Sequence, residues 1–294
     1  MMLTVNGKQV FAATGGVEPD DGRRPAMVLL HGAGMDSSVW QLQTRYLAHR
    51  ARAAGLGAVL ALDLPGHGRS EGPALESIPA MSNWLADVLG RFDGAGNGGD
   101  GTVDGDGSGH RAPVIVGHSM GTYIGLDLAA NHPEAVRRLV LVATSATMPV
   151  HPDLMDASEA DLPRAAALMT GWGHARPNLV GPHPAPGMAM AAGAQALIER
   201  SRPDALASSL RACAAFEEAT DIAAAVGCPV IIVVGSADKM TPARAAGPIH
   251  QALVDGGTDV ELITLPVGHM LMTEAAADLR QILSSALTAD DQTG

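Results

Sequence analysis

The sequence predicts an α/β fold: a doubly wound, mostly parallel sheet with helices on both faces and an inserted helical cap. Three observations predict it. Short, continuously apolar runs recur along the chain with helical stretches between them, as expected of strands buried on both faces of a parallel sheet. Polar and glycine-bearing segments follow the runs, at the carboxyl ends of the strands, where the chemistry of such sheets collects. Between two of the runs lies a long interval with no convincing strand.

In chain order, the run at 26–30 ends at His31-Gly32 and the run at 58–62 ends at Asp63. Val114-Ile115-Val116 enters the pentapeptide Gly117-His118-Ser119-Met120-Gly121. A helically spaced stretch, 123–130, leaves it and stops near His132-Pro133. The run at 139–143 ends at Thr144-Ser145, that at 230–234 at Gly235, and that at 260–265 at Pro266. Two segments break the rhythm. Residues 93–110 are rich in Gly and Asp without periodicity and read as a flexible surface insertion. Within it, 100–105 faintly resembles a calcium loop, but Thr102 and Arg111 stand where ligands should be. Residues 146–220, rich in Ala, Met and Pro, show helix-like stretches at 159–170, 188–200 and 203–219 and read as the cap. The core is then 1–145 with 221–294.

A chain of 294 residues is long enough to bury a large core. Its 19 basic against 31 acidic residues, a net charge of -12, argue against a nucleic-acid or anionic-membrane surface. No apolar run approaches the ~20 residues that span a bilayer, and the first residues lack a signal-peptide pattern. Two cysteines, Cys213 and Cys228, give neither a disulfide framework nor a zinc pattern. A cytoplasmic protein, monomer or homodimer, without metal or cofactor is the expectation.

The pentapeptide fits a G-x-S-x-G turn between strand and helix, which makes Ser119 the candidate nucleophile. A serine hydroxyl needs a base, and the base needs an orienting acid. Asp238, after the run at 230–234, is the candidate acid, and His269, after the last run, the candidate base. The loop after the run at 139–143 offers no carboxylate, which favours Asp238. Asp238 also suits the cap of a helix starting near Thr241-Pro242. A tetrahedral intermediate needs amide donors, for which Met120 and Ala33 are the candidates. His31 and His118 read as loop-binding structural residues, and the charges of the 63–70 segment as loop-orienting.

These residues carry a resemblance. His31-Gly32-Ala33-Gly34, the segment 63–70, the elbow 117–121, the Gly235…Asp238…Pro242 loop and Gly268-His269 occur in an order that resembles the α/β-hydrolase superfamily, in its group with a helical cap after the sixth strand. The resemblance implies an eight-stranded sheet and a Ser119–Asp238–His269 triad. Ser119 separates the chain from members with an Asp nucleophile, and leaves esterases, lactonases, haloperoxidases, aminopeptidases and carbon–carbon hydrolases together. Acyl transfer to water from a small apolar carboxylic ester is the expected activity. The pocket is expected to use Met35, Trp40, Met120 and Leu271 from the core, with Met148, Met169, Trp172, Met188 and Met190 from the cap. Two alternatives stand beside it. One is a ligand-binding protein that keeps the triad; the other is a carbon–carbon hydrolase whose cap cations, Arg164, Arg176, Arg200, Arg202 or Arg211, would anchor a carboxylate.

Overall fold

The computed structural model describes residues 1–20, 23–93, 111–175, 189–202 and 204–289. The segment 94–110, with the calcium-like 100–105, lies outside them. Eight strands form one sheet: β1 (Met2–Val5), β2 (Lys8–Ala13), β3 (Met27–Leu30), β4 (Val59–Leu62), β5 (Val114–His118), β6 (Arg138–Val142), β7 (Val230–Gly235) and β8 (Val260–Leu265). Their order is β1-β2-β4-β3-β5-β6-β7-β8. The pairs β1/β2 and β2/β4 are antiparallel, and every pair from β4 to β8 is parallel. Each of the six apolar runs forms a strand. The β1–β2 hairpin was not anticipated. Asn6 (φ 49°) and Gly7 (φ 74°) make its two-residue turn, both in the left-handed region that Asn-Gly favours.

Helices α1 (Gln41–Ala53), α2 (Ile78–Gly90) and α3 (Met120–Asn131) lie in the first half. Between β6 and β7 come α4 (Pro152–Ala160), α5 (Leu162–Gly173), α6 (Met190–Glu199), α7 (Ala205–Ala215) and the short α8 (Ala219–Ala223). The chain ends with α9 (Gly247–Asp255), α10 (Leu271–Glu274) and α11 (Ala276–Thr288). Strand residues alternate between two apolar clusters, as a period of two requires. Val28, Leu30, Ile115 and Leu141 pack with α2, α3 and α9 on one face. Met27, Leu29, Val116 and Val142 pack with α1 and α11 on the other. Burying each such side chain stabilises the fold by about 1.5–3 kcal/mol.

The expected helical stretches of the insertion correspond to α5, α6 and α7, with one correction. Residues 159 and 160 belong to α4, a helix not foreseen, and Asp161 breaks the run. Its side chain accepts from Arg164 N and caps α5. Prolines sit in the first turn of both α4 and α5, where their missing N–H costs nothing.

The β5-to-α3 turn is as tight as a chain permits. β5 ends at His118 and α3 begins at Met120, which leaves Ser119 alone between them at φ 52°. Its N–H donates to Val142 O (2.9 Å), and its carbonyl accepts from Thr122 N (2.8 Å) and Thr122 Oγ1 (2.6 Å). A Cβ on Gly117 would lie 2.1 Å from Gly121 O and 2.3 Å from Gly121 C, both backbone atoms. Gly117→Ala is therefore expected to cost about 2–4 kcal/mol of stability, measured by urea unfolding. A loss below ~0.5 kcal/mol, the range of a neutral surface change, would contradict the packing.

Candidate active site

The loops after β7 and β8 touch. A Cβ on Gly235 would lie 2.3 Å from Gly268 O, so only glycine allows this approach. Ser236 N donates to Leu265 O (2.8 Å) and Ala237 N to Val267 O (3.0 Å). This joint brings His269 Nδ1 to 2.8 Å from Asp238 Oδ2, with side-chain exposures of 2% and 0%. An ionised carboxylate only accepts, so Nδ1 carries the proton and Nε2 of a neutral ring keeps its lone pair. Asp238 Oδ1 accepts from Met240 N (2.8 Å) and Thr241 N (2.9 Å). Burial pushes the Asp238 carboxyl up; its electrostatic attraction to His269 and the hydrogen bonds of His269 and Thr241 outweigh it and hold the group below its ordinary value. Asp238 does not cap the expected helix: the short helix that follows, Ala243–Ala246, has Pro242 at its N-cap with no side-chain cap, and Oδ1 closes a turn before it while Oδ2 faces the imidazole.

Ser119 and His269 line one cavity of about 390 Å³. Among the described residues the Ser119 hydroxyl forms no hydrogen bond, either with His269 or with another group. Of the expected wall, Met35, Met148, Met169 and Trp172 are present, and Ala33, the candidate oxyanion donor, lines the cavity too. Trp40 and Leu271 are not. Both are fully buried in the apolar cluster beneath the sheet, and Trp40 packs edge-on against His118 with ring centroids 6.5 Å apart. The Met120 side chain also belongs to the core, on the opposite face. Met190 lines a separate groove beside Arg200, and Met188 lies outside the described residues.

The sequence reading missed Leu154, Leu210, Cys213, Lys239, Met240 and Thr241 on the wall. Lys239, Met240 and Thr241 directly follow Asp238, a proximity that could have flagged them. Leu210 and Cys213 share a face of α7 at a spacing of three, but the same spacing serves core packing. Burial pushes the Cys213 thiol up to about 12, so it stays protonated and is a poor nucleophile at neutral pH. For the oxyanion, the Ala33 amide has no partner among the described residues. Met120 is the first residue of α3, where helix amides lack an intrahelical carbonyl.

A model of the alpha/beta hydrolase family matches residues 27–282. The chain belongs to that family. It is 34% identical over 125 residues to a "Pimeloyl-[acyl-carrier protein] methyl ester esterase" of Nitrosomonas europaea, a match covering 42% of this chain and 39% of that protein. It is 29% identical over 279 residues to the "Putative carbamate hydrolase RutD" of Klebsiella pneumoniae, covering 90% of this chain and 92% of that one. An enol-lactonase from Burkholderia xenovorans superimposes with a TM-score of 0.75 over 98% of this chain and all 100% of its own, at 18% identity. An esterase from Exiguobacterium antarcticum gives 0.76 over 98% and 99%, at 17% identity. Identities this low show the shared fold.

In this alpha/beta hydrolase family member the arginines of the interval 146–220 take other partners. Arg200 pairs with Asp36 (2.7 Å), Arg211 with Glu159 (2.6 Å), and Arg202 donates to Gly68 O (3.4 Å). None of these, nor Arg164, lines the cavity, and Arg176 lies outside the described residues. Among the described residues no group of three His, Cys, Asp or Glu side chains could hold a metal ion, and no helix is long and apolar enough to cross a membrane.

Three buried histidines brace the loops. His31 Nδ1 donates to Gly32 O (2.8 Å) while Nε2 accepts from Leu64 N (3.1 Å). His67 Nδ1 donates to Pro65 O (3.0 Å) and Nε2 accepts from Ser209 Oγ in α7 (3.0 Å). His118 Nε2 donates to His269 O (3.0 Å). Asp63 completes the frame, with Ser37 N on one oxygen (2.7 Å) and Arg69 N on the other (2.8 Å). Burial pushes His31 down to about 4 and His67 and His118 down to about 3. As pH falls below the ordinary histidine value, roughly 6.5, the unfolded chain takes up protons that the folded chain refuses. Stability must therefore fall with it. Between pH 7 and 5 the expected loss is on the order of 1–2 kcal/mol for each imidazole, read by chemical denaturation at the two values. Equal stability at both would contradict their burial as neutral rings.

Proposed function

We propose that the protein is a serine hydrolase that cleaves a small carboxylic ester through an acyl-enzyme intermediate. The observation that carries this reading is one cavity lined by both Ser119 and His269, with Nδ1 of that histidine meeting the buried Asp238 at 2.8 Å. In the proposed reaction His269 Nε2 takes the Ser119 proton as Oγ attacks the ester carbonyl. Asp238 holds the ring's tautomer and stabilises the imidazolium. The amides of Ala33 and Met120 donate to the oxyanion. The tetrahedral intermediate collapses, the bond to the leaving oxygen breaks, and His269 returns its proton to the departing alcohol. Water then enters, His269 deprotonates it as it attacks the acyl carbon, the bond from that carbon to Ser119 Oγ breaks, and His269 returns the proton to Oγ as the acid leaves.

The four helices α4 to α7 serve as the cap over this site: Leu154, Met169, Trp172, Leu210 and Cys213 supply apolar wall. Such a wall suits an apolar acyl group, and methionine adapts to several shapes. The names of the methyl ester esterase and carbamate hydrolase relatives support cleavage of an acyl bond of this kind. The test is turnover of a short-to-long series of chromogenic esters by the natural chain and by Ser119→Ala and His269→Ala. Each substitution is expected to lower kcat by ~10³-fold or more while leaving the unfolding transition intact. A Ser119→Ala protein with undiminished turnover would refute the proposal.

A further inference from the structure

We infer that Thr241 is a positioning residue, whose hydroxyl fixes the face of the Asp238 carboxylate that meets His269. The inference rests on the acyl-transfer reading above. Thr241 is 4% exposed, and its Oγ1 lies 2.9 Å from Asp238 Oδ2, 3.1 Å from His269 Nδ1 and 3.1 Å from Ala143 O. One hydroxyl hydrogen faces three neighbours, and their chemistry assigns it. Nδ1 spends its own proton on Oδ2 and has no lone pair to accept with. Were the hydroxyl turned wholly to Ala143 O, a lone pair of Oγ1 would face a negative oxygen at 2.9 Å. Donation to Oδ2 replaces that repulsion with a charge-assisted hydrogen bond, roughly twice as strong as a neutral one.

The carboxylate then accepts four hydrogen bonds, two at each oxygen: Met240 N and Thr241 N at Oδ1, His269 Nδ1 and Thr241 Oγ1 at Oδ2. That uses its four lone-pair sites and stops it turning about the Cβ–Cγ bond. Residue 241 supplies a donor to each oxygen, one from backbone and one from side chain. The imidazole is aimed by this carboxylate, so a carboxylate free to turn would leave the direction of Nε2 unfixed. In a well-packed site a shift of that kind reduces kcat without weakening binding.

Thr241→Val keeps the shape and the backbone N–H and deletes only the hydroxyl; Thr241→Ser keeps the hydroxyl. With a chromogenic ester that the natural chain turns over, Thr241→Val is expected to lower kcat about tenfold, with KM within about twofold. The proton resonance of His269 Nδ1–H is expected to shift in that variant. Thr241→Ser is expected to restore both. A Thr241→Val protein with the natural kcat and the natural resonance would overturn the inference, as would a Thr241→Ser protein impaired equally. Should the natural chain turn over no ester faster than Ser119→Ala does, the acyl-transfer reading fails, and the Nδ1–H resonance alone still decides whether this hydroxyl holds the pair.

Discussion

The buried contact between His269 Nδ1 and Asp238 Oδ2 governs the rest of the site. Either group alone in that position would carry an uncompensated desolvation cost of several kcal/mol. Together, with the amides of residues 240 and 241, they are satisfied. The surrounding structure keeps them together by backbone bonds. Gly235 lets the two loops touch, and the carbonyl of Gly173, at the end of α5, accepts from His269 N (2.7 Å) and Met270 N (3.2 Å). Glu274 adds a bracket, accepting from Gly268 N at one oxygen and Ala175 N at the other. The histidine loop is thereby tied to the helices inserted between β6 and β7, so the position of those helices bears directly on the imidazole.

Ser119 sits at the opposite end of the same problem. Its left-handed backbone costs about 1–3 kcal/mol, and such strain persists only when its surroundings over-determine it. Here they do. β5 is buried along its whole length, α3 is buried on nearly every side, and the two are joined by one residue. The sheet order places the ends of β5, β7 and β8 on one edge, because all three run parallel. In the proposed mechanism, the strain places the hydroxyl clear of the sheet and the parallel edge supplies its partners.

Much of this was legible in the chain. Burial on both faces writes itself as uninterrupted apolar residues, so β3 to β7 could be read, and the polar residues just beyond them could be assigned to one edge; β8, an edge strand exposed at Glu261, Leu262 and Thr264, shows only as a mostly apolar run. The hairpin β1–β2 carried a readable sign in Asn6-Gly7, but its strands mix polar and apolar residues and give no such run. The helix α4 was hidden by Pro152, which reads as a breaker unless it is placed in a first turn. Trp40 shows the harder limit. A large apolar side chain near a functional loop fits a cavity wall and a core equally well, and only packing against His118 decides. The same ambiguity concealed Leu210 and Cys213. Thr241-Pro242 resembles a helix start in the residue order, and nothing there reveals that the Thr241 hydroxyl meets three partners from separate loops.

A crystal structure of the protein after reaction with a fluorophosphonate tests the central claim most directly, since the adduct imitates the tetrahedral intermediate. Phosphorus is expected to be bonded to Ser119 Oγ, with its oxygen within hydrogen-bond distance of Ala33 N and Met120 N and with His269 Nε2 facing the serine oxygen. An adduct on another residue, or a phosphoryl oxygen turned away from both amides, would contradict it.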